Sequence, residues 1–269
     1  MKPTEIEQSV FGQRYDLVIP LGTACLCANS LKDAGLRYRS LPFDWVSGGT
    51  ILSRSMMMVE GFKNWLELSE MEYVGEMNGE YKLKAIYRNR LTDINFVHDF
   101  LAEAKDFARD FKRVQDKYAR RIARLYELCK RSQRILFVWI DYPVTEQAIQ
   151  DSELTQACAF LRKMNPQAEV SLLYLHNEQG VELNSRSSEL LEPGILKMAF
   201  CYKAIDSDLK DAVQRKLLKE VFRKIKLSIR NLTFSDLLRK FRIFYIKKNE
   251  KGEASVRLFR IPIYKYSLK

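Results

Sequence analysis

The thiol of Cys25 is the first group in this sequence that could do chemistry. It ends the segment Leu21–Cys25, directly after a glycine turn and at the start of a predicted helix, Ala24–Ala34. The dipole and the free backbone N–H groups of a helix N-terminus favour an anion, so this placement is expected to lower the thiol pKa and to supply oxyanion donors. The alternative is that Cys25 is a small buried hydrophobic residue, which is how we interpret Cys27.

A thiol nucleophile needs a base, and the 2 histidines of the chain are the candidate imidazoles. His98 is followed by Asp99 and lies between aromatic residues, at the predicted start of the longest helix, His98 to about Lys130. His176 closes a predicted strand, and active-site residues gather at strand ends in open α/β sheets. Either could instead be a structural histidine, and spacing alone does not choose between them.

Asp44 is a third candidate, because it stands between Phe43 and Trp45 in the segment that follows Arg37 and Ser40. An aspartate flanked by two aromatic side chains is expected to be buried and hydrogen-bonded. It could orient an imidazole or bind a substrate hydroxyl, or it could simply accept backbone N–H bonds in a turn.

Arg121 lies near the apolar stripe of the long helix, three residues after Tyr118 and four before Leu125. An arginine there can fork onto a phosphate or a carboxylate. The neighbouring Arg120 and Arg124 are more simply explained as a solvated helix face.

The elements that must position these residues alternate between strands and helices. Hydrophobic periodicity predicts the following segments: strand Tyr15–Leu21, helix Ala24–Ala34, extended Leu41–Trp45, a hairpin over Met71–Arg88, the long helix, strand Arg134–Ile140, helix Ser152–Met164 and strand Glu169–Leu175. A strand–helix–strand succession requires a right-handed crossover and parallel pairing. The fold class is therefore α/β, with a parallel-sheet body, flanking helices and a basic C-terminal appendage.

Positive charge is confined to the C-terminal part of the chain. The 45 Lys and Arg against 34 Asp and Glu give a net charge of +11; residues 215–269 hold 17 basic and 4 acidic side chains, and residues 1–214 hold 28 and 30. We therefore predict an α/β domain, 1–214, carrying the Cys/His site, and a basic amphipathic segment, 215–269. Such a segment favours an anionic membrane surface as partner, with Leu217, Phe222 and Ile225 on its apolar face. The alternative is that these three side chains pack onto the α/β domain as ordinary core and leave only the charges outside. No nucleic-acid fold signature accompanies the charge, so nucleic acid is disfavoured.

The five cysteines are scattered and have neither disulfide-framework nor zinc-site spacing. With few histidines as well, neither a metal site nor a cofactor is expected. The N-terminus lacks the apolar core of a secretory signal, and no apolar run is long enough to span a bilayer. The expected location is cytoplasmic, at most peripheral at the inner membrane face.

Three stretches together resemble a bacterial family described as putative papain-like cysteine peptidases, a domain of unknown function. They are LGTACLCANSLKDAGLRYRSLPFDWV, VHDF and KYARRIARLYELCKRSQRILFVW, in order over Tyr15–Ile140. The resemblance implies a thiol-dependent hydrolase or acyltransferase with Cys25 as nucleophile, His98 as base and Asp44 as orienter, although Asp99 or Asp141 could also orient the imidazole. A peptide-like or glycan substrate would contact residues around these three: Gly22, Arg37, Ser40, Trp45, Asp99 and Arg121.

The segment Arg257–Lys265 resembles a terminal Leu-Phe-x-Ile-Pro-Ile-x-Lys motif of bacterial surface-polysaccharide biosynthesis enzymes. It implies a surface-glycan setting and a second hypothesis, a glycosyltransferase that uses a nucleotide-sugar or a lipid-linked saccharide. Arg121 would then bind phosphate, and Asp44 or His98 would bind sugar or act as base. A scaffold without catalysis is the third hypothesis.

Overall fold

A five-stranded sheet forms where the sequence has its longest apolar runs. In the computed structural model, β2 (Leu17–Pro20), β7 (Arg134–Ile140), β8 (Glu169–Asn177), β9 (Arg186–Glu192) and β10 (Ile195–Phe200) lie in the order β2-β7-β8-β10-β9. Strands β2, β7, β8 and β10 are parallel, and β9 runs antiparallel to β10 at one edge of the sheet. Six of the seven β7 residues are buried, as expected of a central parallel strand covered on both faces. The predicted α/β class is confirmed.

The structure describes residues 4–78, 83–102, 107–141, 148–177, 186–200, 216–229, 232–234, 236–237, 244–248, 253–258 and 261–267. Two compact units divide the chain, Met1–Ser228 and Ile229–Lys269. The predicted boundary at residue 215 lies outside the described residues and stays a prediction, whereas the described residues 216–228 group with the first unit.

Helices flank the sheet; the second and fifth lie within one residue of their predicted bounds, whereas the first and third were not predicted. They are α1 (Glu5–Phe11), α2 (Cys25–Asp33), α3 (Ile51–Val59), α4 (Phe107–Arg131) and α5 (Asp151–Met164). Gly35, with φ +70°, follows α2 and ends it in the left-handed conformation that glycine adopts without strain. Residues Pro42–Trp45, predicted as extended, instead form a 3-10 turn. Only Leu41, the residue before proline, is extended.

A second, antiparallel sheet of the first unit has the order β3-β6-β5-β4. Its strands are β3 (Val46–Gly48), β4 (Met71–Asn78), β5 (Leu83–Asn89) and β6 (Ile94–Leu101), so the predicted hairpin is confirmed. The prediction that His98 opens the long helix is wrong, because His98 lies in β6 and α4 begins at Phe107. Strand pairing with β5 and aromatic packing of Phe96 and Phe100 hold this segment extended.

The start of the basic C-terminal segment packs into the first unit. Helical residues 216–222 and β11 (Lys226–Leu227) bury Leu218, Val221, Phe222 and Ile225, and β11 pairs in parallel with β1 (Arg14–Tyr15). The apolar face expected to meet lipid is therefore covered, and Leu217 is half-buried. Binding to an anionic membrane stays a prediction that rests on charge.

The second unit contains β12 (Phe244–Lys248), β13 (Glu253–Leu258) and β14 (Ile261–Ser267), which form an antiparallel sheet. In the described part of the chain, no helix is long and apolar enough to cross a membrane. Over the same residues, no group of three or more His, Cys, Asp or Glu side chains is placed to hold a metal ion.

Candidate active site

Cys25 is the first residue of α2, at the carboxyl edge of the parallel sheet. The connection from β2 is fixed to the neighbouring strand β7, since Leu21 N–H donates to Val138 O at 2.8 Å and Thr23 Oγ1 donates to Ile140 O at 3.1 Å. A Cβ on Gly22 would lie 2.4 Å from Ile140 N, which leaves no room for a side chain. This close approach accounts for glycine at position 22 without any contact to substrate.

The Cys25 thiol differs from the other described cysteines in its exposure. It is half-buried, whereas Cys27, Cys129 and Cys158 are buried; Cys201 lies outside the described residues. Burial raises the pKa of the Cys25 thiol, although a backbone hydrogen bond opposes the change. The expected lowering by the helix N-terminus is therefore wrong, because loss of water around the sulfur outweighs it. The group is a neutral thiol at pH 7 and needs a base.

The N-terminus of α2 keeps its backbone donors free of a side-chain cap. Its N-cap residue is Ala24, which has extended backbone and no side chain to accept from the first turn. Ser, Thr, Asp or Asn at this position would stabilise the helix by about 1 kcal/mol. The first-turn N–H groups of α2 are thus available to an anionic atom beside the sulfur.

Arg54 of α3, which the sequence analysis did not single out, lies directly beneath this connection. Its guanidinium is fully buried and donates to the carbonyls of Leu21 (2.5 Å), Gly22 (3.3 Å) and Thr23 (3.3 Å), and twice to Gly48 O (3.1 and 2.6 Å). Burial lowers its pKa to about 9, so it remains charged at neutral pH. The N–H groups of Leu21 and Thr23 donate to Val138 O and Ile140 O of β7, so Arg54 and β7 together fix the backbone that leads to Cys25.

Asp44 is fully buried and bonded, as predicted. Its Oδ2 accepts from Arg37 Nη1 at 2.5 Å and from Leu41 N–H at 2.9 Å. Burial raises the pKa of Asp44 to about 6, while Arg37, the Leu41 N–H, Arg121 and Arg124 pull it down. These contacts make Asp44 the centre of an ionic cluster that holds the 3-10 turn, and none of them reaches His98.

Two arginines of α4, Arg121 and Arg124, lie in different surroundings. Arg124 Nη1 donates to Ser40 O at 2.7 Å, so Arg124 is more than a solvated face residue. Arg121 is 7 % exposed, and its guanidinium lies 4.9 Å from the centre of the Tyr118 ring. Little of Arg121 is accessible to a substrate.

His98 lies at an irregularity of β6. Tyr87 pairs with Phe96 and Ala85 with Phe100, so β6 has two more residues than β5 between these pairs, around Val97–Asp99. Bulges of this kind re-aim side chains near active sites. The half-buried His98 ring meets Trp45 edge-on, with 5.9 Å between centroids. Burial lowers the His98 pKa despite the neighbouring charge of Asp99, so the imidazole is neutral at pH 7.

Asp99 turns the other way, into α4. Its carboxylate pairs with Lys117 and accepts from Tyr118 Oη at 2.7 Å, and only 1 % of the residue is exposed. Asp99 therefore ties β6 to α4. It influences His98 through its charge rather than by a hydrogen bond to the ring.

The 3-10 turn connects the two halves of the predicted site. Trp45 contacts His98 on one side and lies 5.9 Å from the Arg37 guanidinium on the other, and Arg37 Nε donates to Ala28 O of α2. Among the contacts recorded for the described residues, no hydrogen bond joins the Cys25 thiol to the His98 imidazole. The catalytic pairing stays a prediction.

His176, the second imidazole, is the penultimate residue of β8 and lies near the same sheet edge as Cys25. It is buried and stacks on Tyr174, with 5.3 Å between ring centroids. Asp141, the third possible orienter, follows β7 there. It accepts from Tyr174 Oη at 2.5 Å and from Trp139 Nε1 at 2.7 Å.

The sequence of the chain is similar to one known family and to a viral protein. A sequence profile of a family described as "Putative papain-like cysteine peptidase" matches residues 16–180, which include Cys25, Asp44, His98, Asp141 and His176. The chain is also similar to "Uncharacterized protein R408" of Acanthamoeba polyphaga mimivirus, with 30% identity over 138 residues.

That match covers 45% of this chain and 60% of the viral protein, so the chain spans less than two thirds of this relative. No solved structure matches the chain. A bacterial origin and a surface-glycan setting find no support in these matches and stay predictions. The profile covers more than half of the sequence, and the chain belongs to the family of putative papain-like cysteine peptidases.

Proposed function

We propose that this chain is a thiol-dependent hydrolase whose nucleophile is Cys25. The observation that carries the proposal is the half-exposed thiol at the first position of a helix that has no side-chain cap. The first-turn N–H groups of this helix have no side-chain acceptor, so the oxygen of an acyl group bonded to the sulfur would have backbone donors close by. Membership in the cysteine peptidase family supports the same chemistry at a coarse level.

In the proposed reaction, the base takes the Cys25 proton as the sulfur bonds to the carbonyl carbon. The carbonyl electron pair moves onto oxygen, which the first-turn N–H groups of α2 stabilise. The tetrahedral intermediate collapses, the C–N or C–O bond breaks and the protonated base returns its proton to the leaving group. Water then cleaves the thioester by the reverse sequence of proton transfers and releases a carboxylic acid.

We assign the base to His98. A general base must be unprotonated at the working pH, and burial keeps His98 neutral at pH 7. The edge contact with Trp45 orients the ring. Catalytic hydrogen bonds are often long in a protein without substrate, so substrate would bring His98 to the thiol directly or through one water. Asp44, bonded to Arg37, acts on the position of the Trp45 turn rather than as orienter of the imidazole.

Acyl transfer needs only another acceptor in place of water, so an acyltransferase is an extension of the same proposal. A peptide-like substrate fits either reaction, as does a glycan that carries an acyl group on nitrogen or oxygen, because both supply the carbonyl carbon that the thiol attacks. The glycosyltransferase hypothesis has less support, because Arg121 and Asp44 are both buried, Arg121 over the Tyr118 ring and Asp44 in an ion pair with Arg37.

The first test is native labelling with iodoacetamide, read by mass spectrometry of the peptides. Cys25 should be alkylated well before Cys27, Cys129 and Cys158, which are buried. The rate should rise with pH beyond pH 8, because burial raises the thiol pKa. Equal labelling of Cys25 and Cys27, or none at Cys25, would remove the nucleophile from the proposal.

The second test is hydrolysis of p-nitrophenyl acetate by the full chain. Cys25→Ala should abolish turnover, and His98→Asn should lower it by roughly 10²–10⁴-fold. His176→Asn is the matched control, since His176 is a second imidazole on the same unit and the proposal predicts no loss. A larger loss in His176→Asn than in His98→Asn would transfer the role of base to His176. Turnover that survives Cys25→Ala would end the proposal.

A further inference from the structure

A basic cleft lies on the first unit, away from the residues of the proposed thiol site. It has a volume of about 620 Å³ and is bounded by α1, the first residue of β9, helical residues 216–222 and the turn into β11. We call it the basic cleft and define it by its four cations: Arg186, Arg223, Lys224 and Lys226. Gln8, Phe11 and Glu220 complete its lining.

Two of the four cations share one buried carboxylate. Lys224 Nζ lies 2.7 Å from Glu7 Oε2, and Arg186 Nη2 lies 3.3 Å from Glu7 Oε1. Burial alone would raise the pKa of Glu7, but the Lys224 hydrogen bond, the Thr4 N–H and the charge of Arg186 together lower it. Glu7 is therefore ionised at neutral pH and offsets a single positive charge.

The other two cations have no such partner. The side chains of Arg223 and Lys226 make no ion pair or hydrogen bond with any residue that the structure describes. Four cations against the two carboxylates Glu7 and Glu220 leave the cleft with two positive charges. A concave site with a surplus of this size concentrates anions that carry two or more negative charges.

The cleft is fixed by the fold. Lys224 is held with its ammonium 5.4 Å from the Phe11 ring centre and its side chain 9% exposed. Buried Val221 and Phe222 anchor the preceding helix, and Lys226 is held in register with Arg14 of β1. Arg186 and Lys224 are therefore held in place by Glu7, and the backbone of Arg223 and Lys226 is fixed before a ligand arrives, which reduces the entropy lost on binding.

We propose that the basic cleft binds a phosphorylated molecule that carries at least two negative charges, such as a pyrophosphate or a phosphomonoester group. The volume is within the range of small-molecule sites, roughly 300–1,000 Å³. Two guanidinium groups can each donate two parallel hydrogen bonds to phosphate oxygens, and the lysines add point charges. The phosphate could belong to a soluble metabolite or to a lipid headgroup. The proposal is independent of the thiol chemistry.

The test measures the affinity of the full chain for inorganic pyrophosphate by isothermal titration calorimetry. The double variant Arg223→Gln/Lys226→Gln should bind pyrophosphate more weakly by roughly tenfold or more, because two charge-assisted contacts are lost. Both side chains are exposed, so the fold should persist, which circular dichroism checks. The matched control is Arg120→Gln/Lys130→Gln, which removes the same charge from exposed positions on α4 and should bind like wild type.

A second arm separates the two sources of phosphate. Co-sedimentation uses vesicles of phosphatidylcholine alone and vesicles with phosphatidic acid, whose headgroup is a phosphomonoester. Binding to the second kind alone, competed by pyrophosphate and lost in Arg223→Gln/Lys226→Gln, supports a lipid source; pyrophosphate binding without sedimentation supports a soluble one. The proposal is overturned if wild type binds neither probe, or if both double variants weaken binding equally.

Discussion

Replacing Arg54 with methionine should lower the free energy of unfolding of the first unit by about 4 kcal/mol. Four carbonyl oxygens, those of Leu21, Gly22, Thr23 and Gly48, accept hydrogen bonds from the buried guanidinium. A buried acceptor that loses its donor costs roughly 1–3 kcal/mol. We take the low end for each oxygen, because methionine also removes the desolvation cost of a buried charge.

Arg54→Lys should lose less, about 1–2 kcal/mol, because an ammonium has three N–H donors for four acceptors. The assay is urea unfolding followed by tryptophan fluorescence. The 3 tryptophans of the chain, Trp45, Trp65 and Trp139, all lie in the first unit, so the signal reports on that unit. Arg131→Met is the matched control, because it breaks only the exposed Arg131–Glu127 pair on α4, which is worth about 0–1 kcal/mol.

The proposed site gives this experiment a second readout. Arg54 holds the backbone that leads to Cys25, so Arg54→Lys should change the rate of Cys25 alkylation even in conditions where the variant is fully folded. The reasoning is refuted if Arg54→Met unfolds within 1 kcal/mol of Arg131→Met with an unchanged dependence on urea. An unchanged alkylation rate in a folded Arg54→Lys variant would show that Arg54 does not influence the reactivity of Cys25.

Three further predictions concern the same region. Ala24→Asp should stabilise α2 by about 1 kcal/mol in urea unfolding, because the new carboxylate caps free N–H groups, and should slow ester hydrolysis by occupying the oxyanion donors; faster hydrolysis would contradict the proposed oxyanion site. The pKa of Asp44 rises from 3.8 to about 6 on folding, so its contribution to stability is full below pH 4 and is lost as the pH rises through 6, by about 3 kcal/mol. Asp44→Asn should remove this component, and parallel stability–pH curves for the two proteins would show that burial does not control the carboxyl. Gly22→Ala should lower the melting temperature, since its Cβ would meet Ile140 N at 2.4 Å and overpacking costs roughly 1–3 kcal/mol; an unchanged melting temperature would mean that the β2–β7 contact yields easily.

Local pattern was enough for three of the four parallel strands, β2, β7 and β8, whereas β10 and the edge strand β9 were not predicted. Strand β7 matches its predicted bounds, Arg134–Ile140, because a continuous apolar run flanked by charged residues is typical of a strand covered on both faces. Helix α2 begins and ends within one residue of its prediction, since a glycine turn precedes it and Gly35 follows it. In both cases residues within or next to the element determine its type and its ends.

The start of the long helix could not be predicted in this way. Phe96, Phe100, Phe107 and Phe111 recur at spacings that a helix face also produces, so periodicity alone extended the helix back to His98. Pairing of β6 with the neighbouring strand β5, in which Tyr87 meets Phe96 and Ala85 meets Phe100, decides the conformation instead. A strand bulge depends on a partner strand, and no local pattern at His98 reveals it.

The site was predictable in its residue types and only partly in its contacts. Burial of Asp44 followed from its aromatic neighbours, but its partner Arg37 was expected to contact substrate. One feature of the sequence could have identified Arg54 as a functional residue: it is the charged residue in the mostly apolar segment Ile51–Val59. The acceptors of Arg54 are backbone carbonyls of Leu21–Thr23 and Gly48, and an acceptor that every residue type has cannot be recognised from the sequence.

The pairing of β1 with β11 has a consequence for the order in which the protein can fold during synthesis. Arg14 and Leu227 lie 213 positions apart, yet the Arg14 side chain bonds to the Leu227 carbonyl and Ser228 N–H donates to Tyr15 O. A ribosome must therefore release nearly the whole first unit before its earliest strand finds this neighbour. Until then the edge beside Tyr15 is an open template for other chains. A fragment cut at the limit of the family match, residue 180, would keep that edge permanently open and would also lack β9 and β10.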